Sequence, residues 1–404
     1  MARSSVNRSG DVATVLDAVA AAYRSSSDPW FPELAGRAVH VDLVRLENRP
    51  RCFLYFLRLS DGRRERPVLV KVRHSIFGLR RRDTFAQQRP VLTPERTLPD
   101  LDTAQREADG LRLIADVFGP LAGPEFGVLR VLAWLPEHLA LVMDQVSEPT
   151  LRHTLMAQSR LRLLRRPPDL VPWRHAGAWL RIYHGARTNL SLMDRTSSRE
   201  EVVALFDRYA DFLQDVVGHG DLFRNLAPAA AEVAASALPE RLPLSVGHGD
   251  FTPRNLFAAP SGRITVFDPM PLWRVPVYED LVRFLVGVRL LGLQAVSQGF
   301  AFSQSHFDGI EAAYLAGYFG DAEVPFDAVR SYQVLILFDK WAAMASKQKN
   351  GPRALQELRR RRVQIVNRYY AQEARRLYAL LLPHGSEGVS RVTADRELRG
   401  SPNA

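Results

Sequence analysis

The chain has 404 residues, of which 46% are hydrophobic and 24% are charged, the composition of a soluble globular protein with room for two domains and a sizeable core. Its formal net charge of +10 suits nucleic acids, anionic membranes and nucleotides alike, while a single cysteine, Cys52, excludes an intramolecular disulfide and a cysteine-based metal cluster. The N-terminus shows no signal peptide and no stretch reaches about 18 uncharged apolar residues, so we predict a cytoplasmic protein without a transmembrane segment.

The N-terminal part predicts a helix followed by a small β-sheet. Apolar residues recur at helical spacing over 12–23, and a serine run with a proline ends this helix. Three strand-like apolar runs follow at 39–44, 52–59 and 67–72, separated by short turns. We therefore expect three antiparallel strands joined as a meander.

Lys71 lies inside the third predicted strand, and it is unusual because only four of the 54 basic residues of this chain are lysine. Either its side chain lies on a solvated strand face, or its compact ammonium holds nucleotide phosphates. We favour the second interpretation because arginine is the usual cation in this sequence.

A glutamate on the next predicted helix is the candidate partner of Lys71. A basic stretch that contains several prolines, 74–102, is interpreted as a long loop, and apolar spacing then predicts a helix over 103–118. Glu107 lies in the first turns of this helix. A glutamate there favours the helix dipole, and in a kinase-like arrangement it would also pair with Lys71.

A polar segment after the next strands is the candidate hinge. Strands are predicted over 126–135 and 139–143, and the second ends at residues 144–149. We interpret this segment as a hinge whose backbone groups hydrogen-bond the edge of an adenine ring. This interpretation places Asp144 and Val146 beside the nucleotide.

The rest of the chain is mostly helical. Helices are predicted over 151–164, 173–186, 200–217, 227–238, 276–288, 308–319, 327–346 and 352–382. The last of these contains a run of four arginines, 359–362, which is typical of a solvated helix face, with peripheral contact to an anionic membrane as the alternative. Residues 384–404 are predicted to be a disordered tail.

The stretch 246–268 carries the strongest chemical signal. His248 and Asp250 belong to a His-Gly-Asp triplet, Asn255 follows, and two short apolar runs joined by a Pro-Ser-Gly turn end on Asp268. One carboxylate can accept a hydroxyl proton, while an amide oxygen and a second carboxylate can hold Mg²⁺. Kinase-type phosphoryl transfer needs these parts in this order along the chain.

A near copy of the triplet at 218–225 lacks the same surroundings. Asp221 and Asn225 are one residue closer together than Asp250 and Asn255, and an alanine-rich segment follows in place of the hairpin. Because a metal site needs ligands fixed by the elements behind them, we assign this copy to a helix terminus and loop.

With these motifs, the chain resembles the aminoglycoside phosphotransferase and choline kinase-like family over roughly residues 35–345. The resemblance implies an α+β, bilobal protein-kinase-like fold, with a small antiparallel β-sheet N-lobe and a larger, mostly helical C-lobe. The expected divisions are an N-terminal helical extension (1–34), a nucleotide-binding N-lobe (35–146), a C-lobe with the catalytic loop and substrate site (147–383) and the tail (384–404).

The resemblance also implies roles for the residues of the 246–268 stretch. Asp250 is then the catalytic base that orients and deprotonates the acceptor hydroxyl, and His248 braces its loop. Asn255 and Asp268 hold Mg²⁺.

In the N-lobe, the resemblance assigns the α- and β-phosphates of ATP to Lys71, positioned by Glu107. Two features depart from the family pattern. The turn over 47–51 has no glycine, and Asp268 is followed by Pro269 where relatives usually carry an aromatic residue or glycine.

We therefore expect a phosphotransferase that uses ATP and Mg²⁺ and acts on a hydroxyl of a small molecule or sugar. The alternative suggested by Pro269 is a pseudokinase or nucleotide-binding scaffold without turnover. A basic nucleic-acid-binding protein is a third hypothesis, but the arginine clusters are dispersed and lack interleaved aromatic residues, so no nucleic-acid partner is expected. Nothing in the sequence names the acceptor.

Overall fold

The computed structural model describes most of the chain. The described residues are 8–73, 89–92, 98–164, 167–195, 197–218, 220–346 and 356–382. The predicted tail (384–404), most of the predicted basic loop (74–102) and the side chains of the arginine run (359–362) lie outside them.

These residues form a strand-rich N-lobe and a helix-rich C-lobe. The strands are β1 His40–Arg49, β2 Cys52–Ser60, β3 Glu65–Arg73, β4 Phe126–Gly127, β5 Val131–Leu135, β6 Ala140–Asp144, β7 Met193–Asp194, β8 Leu244–Val246, β9 Leu256–Ala258, β10 Ile264–Val266 and β11 Trp273–Pro276. The helices are α1 Arg8–Ser25, α2 Asp100–Phe118, α3 Leu151–Ala157, α4 Val171–His184, α5 Arg199–Val217, α6 Gly220–Ala237, α7 Val277–Arg289, α8 Gly292–Val296, α9 Gln304–Phe319, α10 Phe326–Ser346 and α11 Gln356–Leu381.

The N-lobe is built on one antiparallel sheet with the strand order β1-β2-β3-β6-β5. The predicted three-strand meander is confirmed as its first part. Side chains alternate between the two faces of the sheet, and one face is buried with the N-terminal segment that carries α1. This core contains Val15, Val19, Trp30, Phe31, Leu34, Leu57, Leu59, Val68, Val70 and Val142.

Helix α2 supplies the second layer of the N-lobe. It begins three residues before the predicted start and buries apolar residues at helical spacing, Ala108, Leu111, Ile114 and Phe118. Glu107 is buried with them, although a carboxylate is costly to bury without a partner. A partner for Glu107 is therefore required by the fold.

The C-lobe is a helical assembly with an aromatic core. Trp173, Trp179 and Tyr183 of α4 are fully buried. Helices α4 and α9 cross at backbone contact, because a Cβ on Gly177 would lie 2.0 Å from the Tyr314 carbonyl oxygen. The α+β fold with a small antiparallel sheet and a larger helical lobe is confirmed.

Two three-stranded sheets hold the segment that carries the catalytic candidates. Their orders are β4-β10-β9 and β7-β11-β8. The predicted single strand over 126–135 is wrong, because β4 pairs in parallel with β10 whereas β5 pairs with β6 of the N-lobe sheet. The chain between them must leave one sheet and enter the other.

The predicted helix over 151–164 is also wrong in its second half. Helix α3 ends at Ala157, and the backbone N–H of Arg160 donates to the carbonyl of Ala301. The Ser159 hydroxyl accepts from the backbone of Leu161 at 3.2 Å, a local contact that competes with the helix.

No helix of the described residues is long and apolar enough to span a lipid bilayer.

Candidate active site

The His-Gly-Asp loop is fixed at both ends by the strands around it. It leaves β8, and the N–H of Gly247 donates to the Trp273 carbonyl at 2.9 Å. Gly249 adopts a φ of 84°, and a Cβ there would lie 2.7 Å from the Met270 carbonyl oxygen. Glycine is therefore required at this turn for two separate reasons.

His248 is a buried, positioning residue of this loop. Its backbone N–H donates to Asp280 Oδ2 on α7 at 2.6 Å, and its ring Nδ1 accepts from the N–H of Asp250 at 3.4 Å. Burial among aromatic rings lowers the pKa of His248, which keeps the imidazole neutral. This geometry fits the predicted bracing role.

Asp250 is held by its own loop and remains open to solvent on one side. Asn255 Nδ2 donates to the backbone carbonyl and to Oδ2 of Asp250, both at 2.9 Å. The guanidinium of Arg254 approaches the same Oδ2 at 2.5 Å. Because the Asn255 amide nitrogen faces Asp250, the amide oxygen points away from it.

The hairpin of β9 and β10 brings Asp268 next to Asn255. The N–H of Phe267 donates to the Asn255 carbonyl at 3.0 Å. Asp268 has a φ of 60°, a left-handed conformation that is rare for a residue with a side chain and is found where a functional group is held in place.

Pro269 packs on the helix that carries Glu107. A Cβ on Gly110 would lie 2.9 Å from Pro269 and 2.8 Å from Pro271, so the loop after Asp268 touches α2 directly. Gly110 is three residues after Glu107 and lies near it on the helix surface. Pro269, the residue that departs from the family pattern, therefore lies at a close contact between the two lobes.

Lys71 joins the two lobes through two carboxylates. Its Nζ lies 2.6 Å from Glu107 Oε1 and 2.5 Å from Asp268 Oδ1. Burial opposes the charge of Lys71, but Glu107 and Asp268 outweigh burial and raise the pKa of the ammonium. Burial likewise opposes the charge of Asp268, yet Lys71 lowers the pKa of that carboxyl. Both groups are held in their charged forms.

Arg73 is a member of this cluster that the sequence interpretation missed. Its guanidinium donates to Glu107 Oε2 at 2.6 Å, on the oxygen that Lys71 leaves free. Side chains two residues apart on a strand lie on the same face of the sheet. The spacing of Lys71 and Arg73 could therefore have predicted that Arg73 lies beside Lys71.

The predicted hinge residues stand apart from this cluster. The Asp144 side chain forms a two-pronged ion pair with Arg130 at 2.7 and 2.9 Å, and its N–H donates to the Arg130 carbonyl. Val146 is partly buried against the C-lobe core. The carboxylate and the N–H of Asp144 are thus both engaged by Arg130, and the contact of Asp144 and Val146 with a nucleotide stays a prediction.

The near copy at 218–225 has a different setting. Asp221 lies in the first turn of α6, is 91% exposed and pairs with Arg224 at 2.5 Å. The assignment of this copy to a helix terminus agrees with the structure, while its histidine, His219, lies outside the described residues.

The donor set of Asn255 and Asp268 fits a hard divalent cation. Both present oxygen donors, which Mg²⁺ prefers, and few protein ligands suffice because Mg²⁺ keeps several waters and binds substrate phosphates. The amide oxygen of Asn255, whose nitrogen donates to Asp250, and the second carboxylate oxygen of Asp268 are the atoms that fit.

No protein-family model and no curated protein sequence matches this chain. Among solved structures, it is similar to the macrolide 2'-phosphotransferase of Brachybacterium faecium, with 13% identity, TM-score 0.46 and coverage of 87% of this chain and 98% of that one. A choline kinase of Streptococcus pneumoniae matches with 12% identity, TM-score 0.41 and coverage of 86% and 96%. Spectinomycin phosphotransferase in complex with ADP and spectinomycin matches with 12% identity, TM-score 0.44 and coverage of 84% and 95%.

These structures are phosphotransferases and kinases of small molecules, the group that the sequence resembles. Each TM-score is below 0.5, so the likeness carries no functional conclusion for this chain.

Proposed function

We propose that this protein transfers the γ-phosphoryl group of ATP, in the presence of Mg²⁺, to a hydroxyl of a small molecule or sugar. The observation that carries the proposal is the contact of Lys71 with both Glu107 and Asp268. Phosphoryl transfer requires a fixed cation for the nucleotide phosphates beside a carboxylate for the metal. Three residues far apart in the sequence meet in that arrangement.

In this reaction Asp250 accepts the proton of the acceptor hydroxyl. The hydroxyl oxygen forms a bond to the γ-phosphorus while the bond between that phosphorus and the oxygen of the leaving ADP breaks. Lys71 stabilises the charge on the α- and β-phosphates, and the neutral His248 keeps Asp250 in position. Asn255 and Asp268 would hold a magnesium ion, which would supply further positive charge to the phosphate oxygens.

The adenine is proposed to lie at the hinge, against the backbone of residues 144–146. The carboxylate of Asp144 pairs with Arg130 and its N–H donates to the Arg130 carbonyl, so we propose that other backbone groups of this segment recognise the base. Recognition by backbone groups makes nucleotide binding tolerant of side-chain changes at Asp144 and Val146.

A screen for ADP formation tests this function. The protein is incubated with ATP and Mg²⁺ and a library of hydroxyl compounds, with and without a chelator. We expect turnover with a subset of compounds, loss of turnover with the chelator, and loss of at least about tenfold in kcat/KM in Asp268→Asn. Turnover that is unchanged in the chelator would contradict the role of Mg²⁺.

The alternative, a nucleotide-binding protein without turnover, gives a different result in the same assay. ATP would raise the melting temperature, and no compound would stimulate ADP formation. The contact of Asp268 with Lys71 favours the enzyme, because it brings the carboxylate proposed for the metal beside the ammonium proposed for the phosphates.

A further inference from the structure

The acceptor side of Asp250 is lined by an arginine that the proposed reaction does not use. Arg254 lies on the short 3-10 turn Pro253–Asn255, and its guanidinium reaches Asp250 Oδ2 at 2.5 Å. Its side chain is 62% exposed, so the donors that do not touch Asp250 face the open side of the site. An acceptor hydroxyl that reaches Asp250 Oδ2 therefore comes next to this guanidinium.

A second cation, Lys340, interacts electrostatically with the same two residues. It is a partly buried residue of α10, and α10 packs on α7, which in turn contacts the turn that carries Arg254. Burial and the charge of Arg283 lower the pKa of Lys340 to about 8, and Asp250 and Arg254 also act on it. Its ammonium is mainly protonated near neutral pH.

The nearest carboxylate to Lys340 in the sequence is already engaged. Asp339 accepts from Tyr209 at 2.8 Å and pairs with Arg283 at 3.4 Å. Within the described part of the chain, Lys340 itself has no ion-pair partner within 4.0 Å. A partly buried, unpaired ammonium is costly, and an anion that binds beside it recovers that cost.

We propose that the acceptor carries an anionic group, a carboxylate or a phosphate, close to the hydroxyl that receives the phosphoryl group, and that Arg254 and Lys340 bind this group. The inference rests on the proposed function and specifies its substrate class. A planar guanidinium suits both oxyanions, because it donates two parallel hydrogen bonds to either.

The contact between Arg254 and Asp250 links the binding of an anionic acceptor to the proton transfer. Arg254 and Asn255 both donate to Oδ2, so that oxygen has little room to accept a hydroxyl proton. An anionic acceptor competes for the guanidinium and leaves Asp250 free to accept the proton. A polycationic acceptor would instead meet two like charges, which is unfavourable.

The test compares acceptors of matched size and different charge. Glucuronate, glucose 6-phosphate, glucose and glucosamine are assayed within a library of anionic, neutral and cationic hydroxyl compounds, with ATP and Mg²⁺. The variants are Arg254→Gln, Arg254→Lys and Lys340→Met. Arg224→Gln is the matched control, because Arg224 stands one residue before Asn225 in the near copy, pairs with Asp221 at 2.5 Å and is 68% exposed.

We expect the protein to prefer anionic acceptors. Comparison of glucuronate with glucose 6-phosphate then shows whether the bound group is a carboxylate or a phosphate. Arg254→Gln and Lys340→Met should each lower kcat/KM for the anionic acceptor at least about tenfold, mainly through KM, and leave the KM for ATP unchanged. Arg254→Lys should recover part of the loss, and Arg224→Gln should behave as the parent protein. Unchanged melting temperatures establish that the variants are folded.

Three results would overturn the inference. Preferred turnover of neutral or cationic acceptors, or a preference for anions that survives both Arg254→Gln and Lys340→Met, would refute it and leave the proposed function standing. Absence of turnover with every compound would refute the proposed function and this inference together.

Discussion

At the scale of single residues, one lysine organises the charge of the site. Lys71 contacts a carboxylate from each lobe, Glu107 and Asp268, and Arg73 shares Glu107 with it. Glu107 therefore balances the charges of Lys71 and Arg73 and fixes the direction of the Lys71 side chain. Because Glu107 is buried, neither water nor a mobile side chain can easily replace it.

Glu107→Gln tests this balance. The amide cannot compensate two cations, so Lys71 loses a charge-assisted hydrogen bond worth about 1.5–3 kcal/mol. We expect the KM for ATP to rise about tenfold or more, as measured by steady-state kinetics. Glu47→Gln is the control, since Glu47 is an ion-paired glutamate on β1 of the same lobe. An unchanged KM in Glu107→Gln would contradict the positioning role.

At the scale of elements, the loop after Asp268 sets the position of α2. Pro269 and Pro271 lie against Gly110, and only the absence of a side chain at 110 permits this distance. The helix then presents Glu107 to Lys71. The contact gives a physical reason for proline at 269: its rigid ring packs against the helix directly after Asp268.

Gly110→Ala tests the docking of α2. The added methyl would lie within 3.0 Å of two proline rings, and such overpacking costs about 1–3 kcal/mol. We expect a lower melting temperature together with a lower kcat/KM for ATP. Gly119→Ala at the end of the same helix is the control, because a Cβ there meets nothing within 4 Å. Equal behaviour of the two variants would rule out the docking role.

The elements also show what the sequence could and could not predict. The antiparallel strands, α2 and the hairpin before Asp268 followed from local periodicity and turn residues. The division of 126–135 between two sheets did not, because β4 is defined by pairing with β10, which lies more than a hundred residues away. The roles proposed for Arg254 and Lys340 were hidden for the same reason, because α7 meets both α10 and the turn of Arg254 only in the folded chain.

At the scale of the whole molecule, a buried charge network ties the helices of the C-lobe together. Glu311 of α9 accepts from Arg289 of α7 at 3.1 Å and also contacts Arg330 of α10. The hydroxyl of Tyr369 on α11 donates to the Arg289 carbonyl at 3.0 Å. One carboxylate thus connects three helices directly and α11 through Arg289.

Glu311→Gln should destabilise the C-lobe strongly. The variant removes the carboxylate that Arg330 contacts and one of the two carboxylates that pair with Arg289, and breaking a buried pair on one side costs about 3–5 kcal/mol. Urea unfolding near neutral pH measures the loss. Glu323→Gln, at an exposed glutamate after α9, is the control and should unfold as the parent protein does. A change below about 1 kcal/mol in Glu311→Gln would contradict the importance of the network.

The buried carboxylate of Glu311 should also make the stability of the folded protein sensitive to acid. Burial opposes its charge, but Arg330 and Arg289 outweigh burial and lower the pKa of Glu311 from 4.5 to about 2. The pKa of Glu311 is lower in the folded state than in the unfolded state. The stability that its ion pairs contribute is therefore complete above pH 4.5 and is lost as the pH falls through about 2. We expect up to about 3 kcal/mol of stability to disappear across this window in the parent protein. The loss should be absent in Glu311→Gln, as followed by urea unfolding at a series of pH values.

The most direct test of the central claim compares Asp250 with its near copy. Asp250→Asn keeps the shape of the loop and removes the base, so ADP formation with a competent acceptor should fall by about a hundredfold or more while ATP still raises the melting temperature. Asp221→Asn, the same change in the same triplet on α6, should leave the rate unchanged. Near-parental turnover in Asp250→Asn, or loss of turnover in Asp221→Asn alone, would contradict the assignment of the active site.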